Sequence, residues 1–151
     1  MGKIDVAQAV IIAQKMLSPE GFEHSLKVAE YALELKEVFS PQADRDTFFI
    51  MAILHDVLED APEDSKEKIE ALFEDGLPED MYAALQRLTH NKETVDYNFY
   101  CEKIKYFAMR SPYGEVAYIV KLADMKDHLS RKETLTDKLK EKYLTGLSYL
   151  L

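Results

Sequence analysis

The chain has 151 residues, a hydrophobic share of 47% and a formal net charge of −9, which is length enough for one self-supporting core and too much apolar character for disorder. Excess acid without a clustered basic block disfavours a nucleic-acid-binding surface. No apolar run reaches the length of a membrane span: Val10-Ile11-Ile12-Ala13 is soon followed by Lys15.

Five glycines and five prolines are few, and residues typical of long helices recur throughout, so an all-α fold is expected as one domain over residues 1–151. The prolines at 19, 41, 62, 78 and 112 divide the chain into helix-sized pieces, because proline is tolerated in a helix's first turn and poorly within one. The pieces predict seven to eight helices. Asp5 to about Leu17 is the first. The second runs from near Glu20 to Phe39, with Phe22, Leu26, Ala29, Leu33 and Val38 broadly on one side. The third begins near Asp44 and contains Phe48–Leu54, apolar all round, which marks a helix at the centre of the fold. Glu63–Glu74 and Glu79–His90 follow, the latter closing on a histidine that the helix dipole accounts for. Thr94–Arg110 is aromatic-rich and holds Cys101, which reads as a free buried thiol. Tyr113 to about Leu129 comes next. Thr136–Leu151 ends the chain, with Leu139, Tyr143, Leu147 and Leu150 at the spacing of a docking face. No stretch shows the period of a strand. The lone cysteine and the absence of a signal-peptide pattern fit a cytoplasmic protein.

The chemistry concentrates where the central apolar helix ends, at His55-Asp56-Val57-Leu58-Glu59-Asp60. On a helix His55 and Glu59 are four apart, Asp56 and Glu59 three, and Asp56 and Asp60 four, so all share one surface. An imidazole and three carboxylates repel at close range unless a cation sits among them, and a divalent metal is the simplest one. His24, on the half-apolar second helix, and Asp124, in Val120-Lys121-Leu122-Ala123-Asp124, are the two other candidates.

Taken together these segments resemble the HD superfamily of metal-dependent phosphohydrolases. His55 to Asp60, followed by Ala61-Pro62, looks like the HD-x-x-E-D-T motif of RelA/SpoT-type alarmone hydrolases and their small stand-alone relatives. Val120 to Asp124 is similar to the V-K-L-A-D segment of that group, and His24 with Val28-Ala29 to its first histidine motif. The resemblance runs from roughly Val6 to Tyr149. It implies an HD-type helical domain with His24, His55, Asp56 and Asp124 as metal ligands. Such a mixed nitrogen and oxygen set suits Mn²⁺ first, with Fe²⁺ or Zn²⁺ as alternatives. It further implies that Glu59, with Asp60, orients or deprotonates the attacking water.

The substrate implied is a small phosphorylated nucleotide, in its sharpest form guanosine 3′,5′-bis(pyrophosphate) cut at the 3′-pyrophosphate. Lys121, Arg131 and His128 are the candidate substrate contacts, with Lys27 and Lys92 as further cations beside matched segments. Two departures from the alarmone pattern stand out. The basic pair usually found before the first histidine is absent from Met16–Glu23, and His128 stands where a nucleotide-contacting asparagine is usual. Two other readings follow: a nucleotidase-like enzyme on simple monophosphates, and a catalytically idle module that binds metal or nucleotide. Oligomeric state is left open.

Overall fold

The computed structural model describes residues 4–60, 76–91 and 93–151. Those residues form helices and turns, with no strand among them. The expected helix over Glu63–Glu74 and the cation Lys92 lie outside the described residues.

Most of the helices begin at residues that the sequence marks as caps. α1 (Val6–Met16) is opened by a capping box in which the Asp5 side chain accepts from the Gln8 backbone N–H and Gln8 returns the bond. α2 (Pro19–Phe39) starts with Ser18 accepting from Gly21 N–H and Pro19 in the first turn. Asp44 caps α3 (Arg45–Leu54), Asp96 caps α6 (Tyr97–Phe107) and Thr136 caps α8 (Asp137–Leu150). Between these lie the single turn α4 (Val57–Asp60), α5 (Glu79–Arg87) and α7 (Gly114–Ser130). Tyr113, at φ 59°, turns the chain into α7, and a Cβ at Gly114 would lie 2.1 Å from the Phe107 carbonyl oxygen. Glycine is what lets α7 start that close to the end of α6.

The core is one connected cluster centred on α3, where Met51, Ala52, Ile53 and Leu54 have no exposed surface. Within α3, Phe48 and Ile50–Leu54 are buried and Phe49 partly so, as the apolar run predicts, while Arg45 and Asp46 in its first turn are exposed. α2 packs against both α3 and α7, and α6 packs against α8.

The buried face of α2 differs from the expected one. Its buried residues are His24, Ser25, Val28, Ala29, Ala32 and Lys36, while Leu26 is 41% and Val38 74% exposed. Small side chains let α2 approach two neighbours at once, and the larger apolar residues are left at the rim. Two other features also differ from the expected ones. α5 ends at Arg87, three residues short of His90. On α8 Leu147 and Leu150 meet the core as a docking face should, but Tyr143 turns toward a polar cavity.

Candidate metal centre

α3 does not run on into α4. His55 and Asp56 form a tight turn between them, and the cause is His55 itself. The Ala52 carbonyl accepts from the His55 backbone N–H at 3.4 Å and from the His55 Nδ1–H at 2.6 Å. A carbonyl can only accept, so Nδ1 carries the proton and Nε2 is the nitrogen turned inward.

His24 on α2 is fixed in the same sense by a different partner. Its Nδ1 donates to Asp127 Oδ2 at 2.6 Å, and that oxygen also accepts from Arg131 Nε at 2.6 Å. An imidazole held by a carboxylate through one nitrogen presents the other in a set direction, the usual support for a metal-ligating histidine. Both inward nitrogens meet Asp124 of α7: its Oδ1 lies 2.8 Å from His24 Nε2 and 3.2 Å from His55 Nε2. Asp56 Oδ2 is 3.2 Å from His55 Nε2 and 3.5 Å from His24 Nε2.

His24, His55, Asp56 and Asp124 thus offer four ligand atoms within 4.8 Å of one another, and Asp56, Glu59 and Asp60 converge equally closely beside them. The donor set fits a divalent transition metal: two imidazoles with their outer nitrogens occupied, and two carboxylates that need a cation between them. The proton balance records the same demand. Burial alone lowers the affinity of both histidines for protons, but Asp124 and Asp56 outweigh it, raising His24 and holding His55 well above the ordinary 6.5. Burial would raise Asp124, yet Lys121 and the surrounding imidazoles hold it well below the usual carboxylate range. Asp56 is lowered too, chiefly by His55 against the pull of burial. Positive charge is wanted at this point of the fold.

Three of these four residues, His55, Asp56 and Asp124, sit at the wall of a cavity of about 210 Å³, lined also by Glu59, Asp60, Lys121 and His128. Glu59 is held by one oxygen, Oε1, which accepts the His90 backbone N–H at 2.7 Å. Lys121 Nζ donates to Asp124 Oδ2 at 2.9 Å and lies about 5 Å from the ring centres of Tyr97 (5.1 Å) and Tyr100 (4.9 Å). His128 Nε2 is 3.3 Å from Asp124 Oδ1. Of the residues singled out in the sequence, Arg131 is placed elsewhere: its guanidinium braces Asp127, reaches Glu23 at 4.0 Å, and does not line the cavity. Lys27 pairs with Glu30 on the surface.

Several lining residues carry no signal in the sequence. Tyr97 and Tyr100 come from α6, Lys142 and Tyr143 from α8, and His90 from the turn after α5. His90 does not serve a helix end. Its Nε2–H donates to the Val95 carbonyl at 2.6 Å, and its ring stacks on Tyr100 with centres 4.7 Å apart. Asp127 is also new. Only its spacing, three residues beyond Asp124, hinted that it faces the same side as the ligands.

No helix among the described residues is long and apolar enough to cross a membrane. No curated protein matches the chain. Residues 21–129 match the family described as HD domain, and that stretch contains all four ligand candidates together with Glu59, Asp60 and Asp127. Spanning more than half of the 151 residues, the match shows that the chain belongs to the HD domain family, whose members are generally metal-dependent hydrolases.

Proposed function

We propose that this protein is a metal-dependent phosphohydrolase acting on a phosphorylated nucleotide. The observation that carries the reading is the meeting of two oriented imidazoles and two carboxylates beside a cavity whose wall bears His55, Asp56, Asp124, Glu59 and Asp60. His24, His55, Asp56 and Asp124 would hold the ion, with Mn²⁺ the first choice. When bound, such an ion acidifies water and draws electron density from a phosphoryl oxygen.

The protein's own groups do the rest. Asp127 and the Ala52 carbonyl keep the two imidazoles turned inward. Glu59, anchored through one oxygen to His90 N–H, has a second oxygen with which to orient and deprotonate the attacking water, and Asp60 stands beside it. Lys121 keeps Asp124 ionised and brings positive charge to the cavity for a phosphoryl oxygen. His128 faces the cavity where an alarmone hydrolase has asparagine.

The sharpest form of the proposal is release of pyrophosphate from the 3′ position of guanosine 3′,5′-bis(pyrophosphate). A second reading, hydrolysis of simple nucleoside monophosphates, is favoured by Glu20 and Glu23 ahead of His24 in place of a basic pair, and by the small cavity. Mn²⁺-supplemented turnover of guanosine and adenosine polyphosphates, run beside nucleoside monophosphates, tests both. Pyrophosphate release from the tetraphosphate supports the first, and orthophosphate release from monophosphates alone supports the second. Purified protein that binds metal and hydrolyses neither class overturns the enzyme reading in favour of an idle module.

A further inference from the structure

The three helices α6, α7 and α8 line the metal-site cavity through Tyr100, Asp124 and Tyr143, and each lines a second cavity through another residue: Tyr106, Tyr118 and Tyr149. On every one of them the two positions are six residues apart, about 9 Å of helical rise. This second cavity has a volume of about 1000 Å³, and no described residue lines both. We propose that the face around it is the contact between two identical copies of this chain, paired about a two-fold axis. The inference does not depend on the reaction that the metal site performs.

Composition is the first ground. Phe39, Tyr106, Met109 and Tyr149 line the cavity and are 62%, 54%, 84% and 43% exposed, although they are large and apolar. Such side chains gathered at one place mark an interaction surface, whereas single exposed ones do not. Tyrosine, phenylalanine, methionine and arginine are also the residues that collect at the centre of protein contacts. Arg110 supplies the last of these, its guanidinium 4.3 Å above the Tyr106 ring. A small ligand is a poorer occupant, because a binding pocket buries most of its ligand, and walls that are themselves half exposed enclose little.

Shape is the second. Met109 lines this cavity and also a neighbouring one of about 450 Å³ between α3 and the start of α7, so it stands as a ridge between two hollows. A two-fold contact requires a patch that fits itself, with a projection and a recess on the same face. An unbranched thioether suits the projection, since it adapts to the recess that it enters.

Charge is the third, and it selects a second copy over other partners. The chain has 28 acidic residues against 19 basic ones, so two copies repel over most of their surfaces. Around this cavity the balance is even: Glu102 and Glu115 are answered by Lys105 and Arg110. A strongly acidic or basic partner finds no excess of opposite charge here. A second copy, turned by half a revolution, can set its cations against the acids of the first.

Sedimentation of the whole chain from about 1 to 100 μM tests the inference, because contacts of ordinary size dissociate in the micromolar range or below it. The parent is expected to form dimers, and Met109→Glu to weaken them about 30- to 100-fold, as loss of a central anchor does. The helical circular dichroism and melting temperature of that variant should stay at parent values, since the side chain is exposed. A pair of double variants probes the charges. Lys105→Glu with Arg110→Glu makes the face acidic, and Glu102→Lys with Glu115→Lys makes it basic. Each should be monomeric alone, and an equimolar mixture should pair again. A parent that stays monomeric throughout the range overturns the inference. Dimers that persist unweakened in Met109→Glu and in the acidic variant place the contact elsewhere and overturn it too. So does a mixture that stays monomeric, because the two altered faces would then fail to attract.

Discussion

The two sides of the cavity are built on different principles. The ligand side is made by α2, α3 and α7, where charged and polar groups are tied to one another or to backbone: His24 to Asp127, His55 to Ala52, Asp124 to Lys121. The other side is made by α6, α8 and the turn at His90, where rings lean on rings: His90 on Tyr100, Tyr97 on Tyr143, Tyr143 on His128. The first arrangement fixes atoms to within a hydrogen bond. The second sets ring planes against one another. Binding an ion needs the first, and in the proposed reaction the substrate would meet the second.

The largest expected effect comes from cutting the ligand side at its centre. Asp124→Ala leaves Lys121 buried without its carboxylate partner and removes the group on which His24, His55 and His128 converge. Metal content should fall to zero, and removing one partner of a buried pair costs about 3–5 kcal/mol of stability, read as a lower melting temperature. Metal retained at parent level in this variant would remove Asp124 from the ligand set. Next in size, Glu59→Ala should lower turnover about 10²- to 10⁴-fold with metal content unchanged, measured on whichever nucleotide the substrate screen identifies. Equal turnover would mean that another group activates the water.

Asp127→Asn sharpens the contrast further, since it touches the ligand side without removing a ligand. Metal affinity should drop about 10- to 100-fold, as is usual when the outer partner of a ligating histidine is changed, while the melting profile stays cooperative. An unchanged dissociation constant would show that the His24 ring needs no such support.

A smaller effect concerns pH. In the metal-free protein His24 and His55 bind protons more tightly than 6.5 implies, so their contribution to stability is full below 6.5 and is lost as pH rises through their folded values. Asp56 and Asp124 are lowered, so theirs is present above 3.8 and is lost as pH falls through their folded values. Melting temperatures of metal-free protein should therefore peak in mild acid, between those limits. Metal should move the peak upward in pH, because it displaces the imidazole protons. Coincident profiles with and without metal would contradict the site.

How far the sequence could be read follows the same division. Caps, prolines and the apolar run Phe48–Leu54 announce the helices because each acts within a few residues. His55 to Asp60 announces the ligand side for the same reason, and the resemblance carried by His24 and Asp124 supplied partners that no local rule could join. The other wall depends on Tyr97, Tyr143 and Lys142 meeting across the fold. Tyrosines at helical spacing look the same whether they face core or cavity, so nothing local distinguishes them. Arg131 shows the opposite limit of a local reading. As a cation near Asp124 it looked fit for phosphate, but the carboxylate one helical turn before it was nearer.

Gly146 lets α8 lie close against α6 within the second wall. A Cβ there would lie 2.6 Å from Tyr97 Cε2 and 3.1 Å from Met125 Cε. Position 146 and position 97 therefore cannot vary independently. A bulkier residue on the helix has to be answered by a smaller ring at 97, and with it a wider mouth for whatever enters. Across the descendants of such a chain, a change of substrate would leave its trace as paired replacements at these two places, with the metal ligands untouched.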